Sequence, residues 1–204
     1  MDFNREHLPY YLLALALIIL IIYWKVHTNS SDDNPETNKD DSAKLLTKLW
    51  SEHVFWMKLY IISALENLKY AEPAKQKLLH NQEQLGNAIG LIYGSKVGSK
   101  ITKLLKDHVA IASQIVTILK DKDNISVMKS LTNKWHKNAD EIADVLSKAN
   151  TNLNKSELKD MLYQHLKLTS EEAMAYSDHD YQKDIGLFDK INNQALKMAH
   201  IISK

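Results

Sequence analysis

The sequence predicts an all-α protein, with an N-terminal transmembrane helix followed by an antiparallel four-helix-type bundle with extra short helices. Three observations support this fold class. Apolar residues recur three and four positions apart over most of the chain, which is the period of an amphipathic helix, and no stretch keeps the alternation of a strand. Only five glycines and three prolines interrupt the 204 residues. Near the N-terminus, apolar residues form one uncharged run of about the length that a bilayer requires.

The uncharged run is LPYYLLALALIILIIYW, residues 8–24. With Val26 it approaches the roughly 20 residues that cross a bilayer core, and aromatic residues stand at both ends, where the headgroups lie. A cleaved signal peptide is the alternative, but no small-residue cleavage motif follows Trp24. We therefore expect a single-pass membrane protein with an anchor over 1–27, membrane contact through 8–26, and an orientation that the sequence leaves open.

Residues 28–42 are polar and acidic, with Pro35 among them. A segment of this composition cannot bury apolar surface, so we expect a flexible linker. The remaining residues, 43–204, are enough to bury one sizeable core, and we assign them to the helical-bundle domain.

Polar and glycine-containing stretches divide the bundle domain into helices. We expect three long helices near residues 43–68, 96–120 and 125–148. Between the first two, Pro73 and nearby glycines predict short or broken helical segments. Ser156 is expected to cap a shorter helix, and Thr169-Ser-Glu-Glu172 has the pattern of a capping box that begins a long final helix ending near Ile202. A local disturbance of that final helix is expected near Ser177-Asp178. Four long helices with short connections pack most simply as an antiparallel bundle.

Charge and composition argue against several classes of function. The formal net charge is +1, and Arg5 is the one arginine among 26 basic residues. Guanidinium groups are the usual means of reading bases and phosphates, so we expect no nucleic-acid partner. The chain contains no cysteine, which excludes disulfides, zinc–thiolate sites and thiol catalysis. A protein partner and a small-molecule substrate both stay open.

Three histidines stand where apolar residues are expected. His53, His108 and His165 each fill a gap in the apolar stripe of a different helical segment, and Asn138 takes the inward place on a fourth. A buried imidazole costs roughly 1–3 kcal/mol unless it finds a hydrogen-bonding partner. We therefore expect these side chains to meet in the core, with Asn138 and Thr169 as supporting polar groups.

Two explanations of these histidines stay open. One is a structural network of hydrogen bonds. The other is a transition metal (Fe, Mn or Zn) held by imidazoles from facing helices together with carboxylates, and the candidate ligands are His53, His108, His165, Glu172 and Asp184. Glu172 follows His165 by seven residues, which keeps both on one face of a continuous helix. The sequence lacks the Glu-x-x-His of di-iron bundles and the His-Glu-x-x-His of zincins.

Four blocks around these residues form a series along the chain: Leu49-Trp-Ser-Glu-His-Val-Phe-Trp56, Leu104-Leu-Lys-Asp-His-Val-Ala-Ile111, Asn138-Ala-Asp-Glu-Ile-Ala143 and Met161-Leu-Tyr-Gln-His-Leu-Lys-Leu-Thr169. In order and spacing they resemble a family of small helical-bundle proteins of unsettled function, found in bacteria and in some large DNA viruses. The likeness covers about residues 45–203. It implies a helical fold and places six residues at family motif positions: His53, His108, Asn138, His165, Glu172 and Asp184. Lys58 stands where the family has arginine, and Asn192 where it has histidine.

The sequence favours a non-enzymatic structural or interaction protein tethered to a membrane, such as a component of a viral or bacterial envelope. A metal-binding bundle with redox or oxygen-linked activity is the first alternative. The second is a membrane-tethered adaptor or sensor that binds a partner through an exposed apolar patch. The sequence points to no catalytic residue and to no organic cofactor.

Overall fold

The computed structural model describes residues 18–24, 35–119 and 124–204. Within these ranges there is a helical stretch over 18–24 and there are six longer helices, but no strand, which confirms the all-α class. The six helices are α1 (Pro35–Leu65), α2 (Ala71–Tyr93), α3 (Ser95–Ile118), α4 (Ile125–Ala149), α5 (Lys155–Ser177) and α6 (Tyr181–Ile202). The chain divides into two compact units, Met1–Asn38 and Lys39–Lys204.

The prediction of a single-pass, membrane-anchored localisation is wrong. Among the described residues, no helix combines the length and the apolar character needed to cross a membrane. Of the proposed membrane contact, the structure describes residues 18–24, which are helical. The rest of that contact, 8–17 and 25–26, lies outside the described residues.

The number and lengths of the helices differ from the prediction of four long helices with short extra ones. The stretch expected to be broken is the continuous helix α2, because Gly86 and Gly90 lie within it and Pro73 stands in its first turn, where the missing N–H has no intrahelical partner to lose. Helix α1 begins at Pro35, inside the segment expected to be a linker. Residues 28–34 of that segment lie outside the described ranges.

The expected capping box at Thr169 is a wrong prediction as well. Thr169 and Glu172 lie in the interior of α5, which begins earlier, where the side chain of Asn154 accepts hydrogen bonds from the backbone N–H groups of Ser156 and Glu157. The expected long final helix is interrupted after Ser177, and α6 starts at a new cap, Asp180. A Ser/Thr-x-x-Glu pattern satisfies free amides only where a helix starts, and here the helix is already complete.

Helices α2 and α3 lie in close backbone contact. They meet at Gly94, whose φ of 91° is a conformation that favours glycine. Beyond this turn the two backbones run so close together that a Cβ added to Gly98 would lie 2.6 Å from the carbonyl oxygen of Gly86 and 2.7 Å from Cα of Gly90. The three glycines on the facing sides of α2 and α3 therefore permit this close approach.

Buried apolar side chains from all six helices form one core within Lys39–Lys204. Polar side chains interrupt this core at a few places, and those that concern function are His53, Gln82, His108, Asn138, His165, Thr169, Glu172, Asp184 and Gln194. Each consecutive helix pair, α1–α2, α3–α4 and α5–α6, contributes one of the three histidines from its first helix. These pairs are called the three hairpins below.

Candidate functional site

The three predicted histidines lie close together inside the bundle. The ring centres of His53 and His165 are 5.7 Å apart, and those of His108 and His165 are 6.4 Å apart, so His165 adjoins both of the others. Trp50 packs edge-on against His53 and His165, and Trp135 lies against His108 with ring centres 5.1 Å apart. We call the rings of His53, His108 and His165 the histidine cluster.

His108 is held by a carboxamide from the second helix of its own hairpin. The Nδ2 group of Asn138 donates to the backbone carbonyl of Leu104 at 2.9 Å, and this bond turns Oδ1 toward the imidazole, 2.9 Å from Nδ1. Because a carboxamide oxygen only accepts, Nδ1 of His108 carries the proton. In the neutral ring, Nε2 then presents a lone pair.

His165 repeats this arrangement in the third hairpin. The Nε2 group of Gln194 donates to the carbonyl of Met161, four residues before the histidine, at 2.8 Å, and its Oε1 lies 3.1 Å from Nδ1 of His165. Nδ1 of His165 is again the donor, and Nε2 again presents a lone pair. The two rings share one tautomer because each is oriented by a carboxamide that is anchored to the backbone in the same way.

In the first hairpin the bond to the backbone carbonyl and the contact with the imidazole come from two different side chains. Asn81 donates to the carbonyl of Leu49 at 2.9 Å, while Nε2 of Gln82 lies 3.0 Å from Nδ1 of His53. The same Gln82 nitrogen also donates to the carbonyl of Leu78 and to Oδ1 of Asn81, at 2.9 and 3.0 Å. Because a carboxamide has two N–H hydrogens, these two bonds use both of them, and the contact with Gln82 does not fix the tautomer of His53.

The histidine-to-amide spacing is nearly constant along the chain. His53 and Gln82 are 29 residues apart, His108 and Asn138 are 30 apart, and His165 and Gln194 are 29 apart. In each hairpin the anchoring carbonyl belongs to the residue four positions before the histidine. The bundle therefore contains three copies of one buried polar motif, and the rings of the three copies come together.

Burial keeps all three imidazoles neutral. Desolvation is the main cause that lowers the pKa of each, to about 3 for His108 and to about 4 for His165. The pKa of His53 is also lowered, first by burial and then by the charges that His165 and His108 would carry. A second proton among such rings would place like charges at short range in a low dielectric, so the cluster does not bind protons near neutral pH.

The two predicted carboxylate ligands are paired with Lys58. Asp184 accepts a hydrogen bond from the Lys58 ammonium group, and Oε1 of Glu172 forms an ion pair with it at 3.3 Å. All three side chains are buried or nearly so. Burial raises the pKa of Glu172 to about 7, and the nearby Lys58 offsets this only in part. Because one lysine faces two carboxylates, the desolvated Glu172 is the group that holds a proton most readily.

Thr169, predicted to support the cluster, is buried between these two polar groups on α5. It follows His165 by one helical turn and precedes Glu172 by three residues, so all three share a face. Within the described part of the chain its hydroxyl oxygen has no hydrogen-bond partner. Among the described residues it therefore makes no hydrogen bond to the histidines, in contrast to Asn138.

The geometry of the rings bears on the metal hypothesis. In the described ranges, no group of three or more His, Asp or Glu side chains is arranged to hold a metal ion. In a tetrahedral site, imidazole nitrogens about 2.0–2.1 Å from the metal place the ring centres about 5 Å apart, closer than the 5.7 Å between His53 and His165 and the 6.4 Å between His108 and His165.

The apolar stripes located the histidines and Asn138, but Asn81, Gln82 and Gln194 were missed as their partners. Gln82 stands in a stretch that appeared broken, and Gln194 lies in a helix whose inward face was assigned to apolar residues. The signal that identifies them is the repeated spacing from histidine to amide, which links the second helix of each hairpin to the first.

Three comparisons were made, with models of protein families, with curated proteins and with solved structures. None of them found a match. The resemblance to small helical-bundle proteins of bacteria and large DNA viruses stays a prediction.

Proposed function

We propose that this chain is a non-enzymatic structural or interaction protein, in which the histidine cluster joins the three hairpins into one stable bundle. The observation that carries the proposal is the hydrogen bond between each buried imidazole and a carboxamide of its own hairpin. All three rings are almost completely excluded from solvent, so no substrate in solution can reach them. Rings that are neutral, enclosed and hydrogen-bonded through Nδ1 suit a structural role better than a catalytic one.

The contribution of a buried polar pair to stability depends on whether both partners keep their hydrogen bonds. A buried polar group that loses its partner costs about 1–3 kcal/mol, whereas replacing both partners by apolar groups of similar size can be nearly neutral. The interaction of His108 with Asn138 offers this comparison, because Asn138 bonds both the ring and the carbonyl of Leu104. A structural pair therefore makes a distinctive prediction for single and double variants.

The test is a double-mutant cycle measured by urea unfolding. We expect Asn138→Leu to lower the free energy of unfolding by about 1–3 kcal/mol, because it leaves Nδ1 of His108 and a backbone carbonyl unpaired. The double variant His108→Leu/Asn138→Leu should regain part of this loss. A double variant that loses the sum of the two single losses, or more, would contradict a purely structural pair.

Metal binding is the second candidate, and one specific observation favours it. His108 and His165 both donate through Nδ1 to a carboxamide oxygen, which is how histidine ligands are commonly oriented by their neighbours. Both therefore present Nε2 lone pairs to the interior. Two imidazoles together with a rearranged His53 supply the nitrogen ligands that Zn, Fe or Mn accepts.

Elemental analysis distinguishes the two candidates. The chain is expressed with Fe, Mn and Zn supplied and is purified without chelators, and His165→Gln serves as the matched variant. The structural proposal predicts only traces of metal in both proteins. A stoichiometric metal in the native chain that is lost in His165→Gln would establish the second candidate.

A further inference from the structure

A groove of ≈ 640 Å³ lies between α4 and α5, and residues at the C-terminal end of α3 also line it. This volume falls within the roughly 300–1,000 Å³ that is usual for small-molecule sites. We call it the α4–α5 groove. Its lining residues are Ile115, Leu119, Met128, Thr132, Trp135, His136, Tyr163, Gln164, Leu166, Lys167, Ser170, Glu171 and Met174.

The body of the groove is apolar. Ile115, Trp135 and Leu166 are buried residues that form its floor, and Met128 and Met174 lie on opposite walls, where their flexible thioether side chains can adjust to a ligand's shape. A second groove of ≈ 370 Å³ shares Leu119 and both methionines, and it prolongs the apolar surface. The combined surface suits a molecule with an apolar body.

The hydroxyl groups in the wall of the groove already donate their hydrogens to backbone carbonyls. Thr132 donates its hydroxyl hydrogen to the carbonyl of Met128 at 2.9 Å, and Ser170 donates to the carbonyl of Leu166 at 2.8 Å. A hydroxyl whose hydrogen is engaged in this way offers only its oxygen lone pairs to a ligand. Both groups therefore face the groove as hydrogen-bond acceptors.

His136 and Tyr163, which also line the groove, likewise already donate their hydrogens. Nδ1 of His136 lies 2.8 Å from the carbonyl of Thr132, so it is the donor, and Nε2 of the neutral ring is an acceptor. Tyr163, whose ring packs edge-on against His136 at 4.5 Å, donates its hydroxyl hydrogen to Asp140 at 2.8 Å. The side chains of Gln164 and Lys167, which can donate, stand at the exposed rim.

We propose that the α4–α5 groove binds an apolar molecule that carries a hydroxyl donor, with Nε2 of His136 as the acceptor. This goes beyond the structural role of the histidine cluster and is independent of it. The apolar floor supplies the burial, and the acceptors in the wall supply the orientation. The imidazole nitrogen is a stronger acceptor than the hydroxyl oxygens, and the Glu171 carboxylate, which also lines the groove, is paired with Lys167 at 3.9 Å. A phenol or an aromatic alcohol is the class of ligand that meets both requirements.

The experiment compares two probes that share one apolar body. Binding of 1-naphthol and of 1-methoxynaphthalene to the full chain is measured by equilibrium dialysis near pH 8. We expect saturable binding of one naphthol per chain and binding of the methyl ether that is roughly 3- to 10-fold weaker, which corresponds to one neutral hydrogen bond. Equal affinity for the two probes, or no saturable binding of naphthol, would overturn the proposal.

Variants locate the site. Ser170→Trp fills the groove and should abolish naphthol binding, while Ser156→Trp, at an exposed position on the first turn of the same helix, should leave it unchanged. His136→Phe retains a ring against Tyr163 but removes the acceptor, so its affinity for naphthol should fall to that for the ether. Circular dichroism confirms the fold of each variant. Unaltered binding in Ser170→Trp, or a retained preference for naphthol in His136→Phe, would refute the assignment.

Discussion

Burial shifts the pKa of Glu172 in a direction that a measurement of stability against pH can test. Burial raises its pKa to about 7 even though Lys58 is 3.3 Å away, and Asp184 shares the same lysine. In the unfolded chain a glutamate titrates near 4.3, so between that value and about 7 the folded state binds more protons than the unfolded state. The stability contributed by the protonated form is complete below the unfolded pKa and is lost as the pH rises through about 7.

Glu172→Gln, which resembles the protonated carboxyl group, should therefore change stability in a pH-dependent way. At about pH 8 we expect the variant to gain up to about 3 kcal/mol in the free energy of unfolding relative to the native chain, and near pH 5 the gain should be much smaller. Urea unfolding at the two pH values measures this difference. A gain that does not depend on pH would show that Glu172 is not desolvated as the structure indicates.

At this scale the sequence predicted the buried histidines but only one of their partners. A histidine in an apolar stripe is visible in one helix at a time, because the period of that helix exposes the anomaly. The carboxamide that satisfies it belongs to another helix, and Gln82 and Gln194 could be matched to their rings only once the pairing of helices was known. Asn138 was recognised because it interrupts a stripe of its own.

At the scale of helices, the close contact of α2 with α3 can be tested by adding a single methyl group. A Cβ on Gly98 would meet the backbone of α2 at 2.6–2.7 Å, with no flexible side chain to move aside. We expect Gly98→Ala to lower the free energy of unfolding by about 1–3 kcal/mol, because the two helices must separate to admit the methyl group.

Gly186 in α6 provides the matched control. A Cβ there would meet nothing within 4 Å, and alanine is favoured over glycine in a helix interior by about 0.5–1 kcal/mol. Gly186→Ala should therefore stabilise the chain slightly in the same thermal or urea unfolding assay. Similar effects of the two substitutions would mean that helix propensity, and not the contact of α2 with α3, decides the outcome at Gly98.

The helices whose bounds were well predicted have long apolar periods and clear ends. The expectations for α3 and α4 differ from the structure by one or two residues, which is within the ordinary uncertainty of helix ends. Helix α2 was divided in the prediction because glycine lowers helix propensity, yet its glycines serve the contact with α3. The break between α5 and α6, expected only as a local disturbance near Ser177-Asp178, is a complete interruption at which His179 has a φ of 61°.

For the whole molecule, the histidine cluster couples folding to pH. The rings remain neutral in the folded state down to about pH 4 for His165 and about pH 3 for His108, whereas in the unfolded chain they protonate near 6.5. Between these values the unfolded state binds more protons. The stability contributed by the cluster is therefore complete above about pH 6.5 and is lost as the pH falls toward the folded-state values.

We expect the free energy of unfolding to decrease from about pH 7 to about pH 5, with a slope of up to about 1.4 kcal/mol per pH unit for each imidazole of the cluster. Because Glu172 opposes this trend over the same range, the measurement is made in the Glu172→Gln background. His165→Gln in that background should show a shallower slope. An unchanged slope would contradict the burial of that ring.

The repeated bond between histidine and carboxamide also makes the three hairpins comparable position by position. Separations of 29, 30 and 29 residues place the histidine and its carboxamide at equivalent points of each hairpin. Glu172 breaks that equivalence, since Tyr60 and Ile115 occupy the matching positions seven residues after His53 and His108. The acidic side chain therefore distinguishes the third hairpin from the other two.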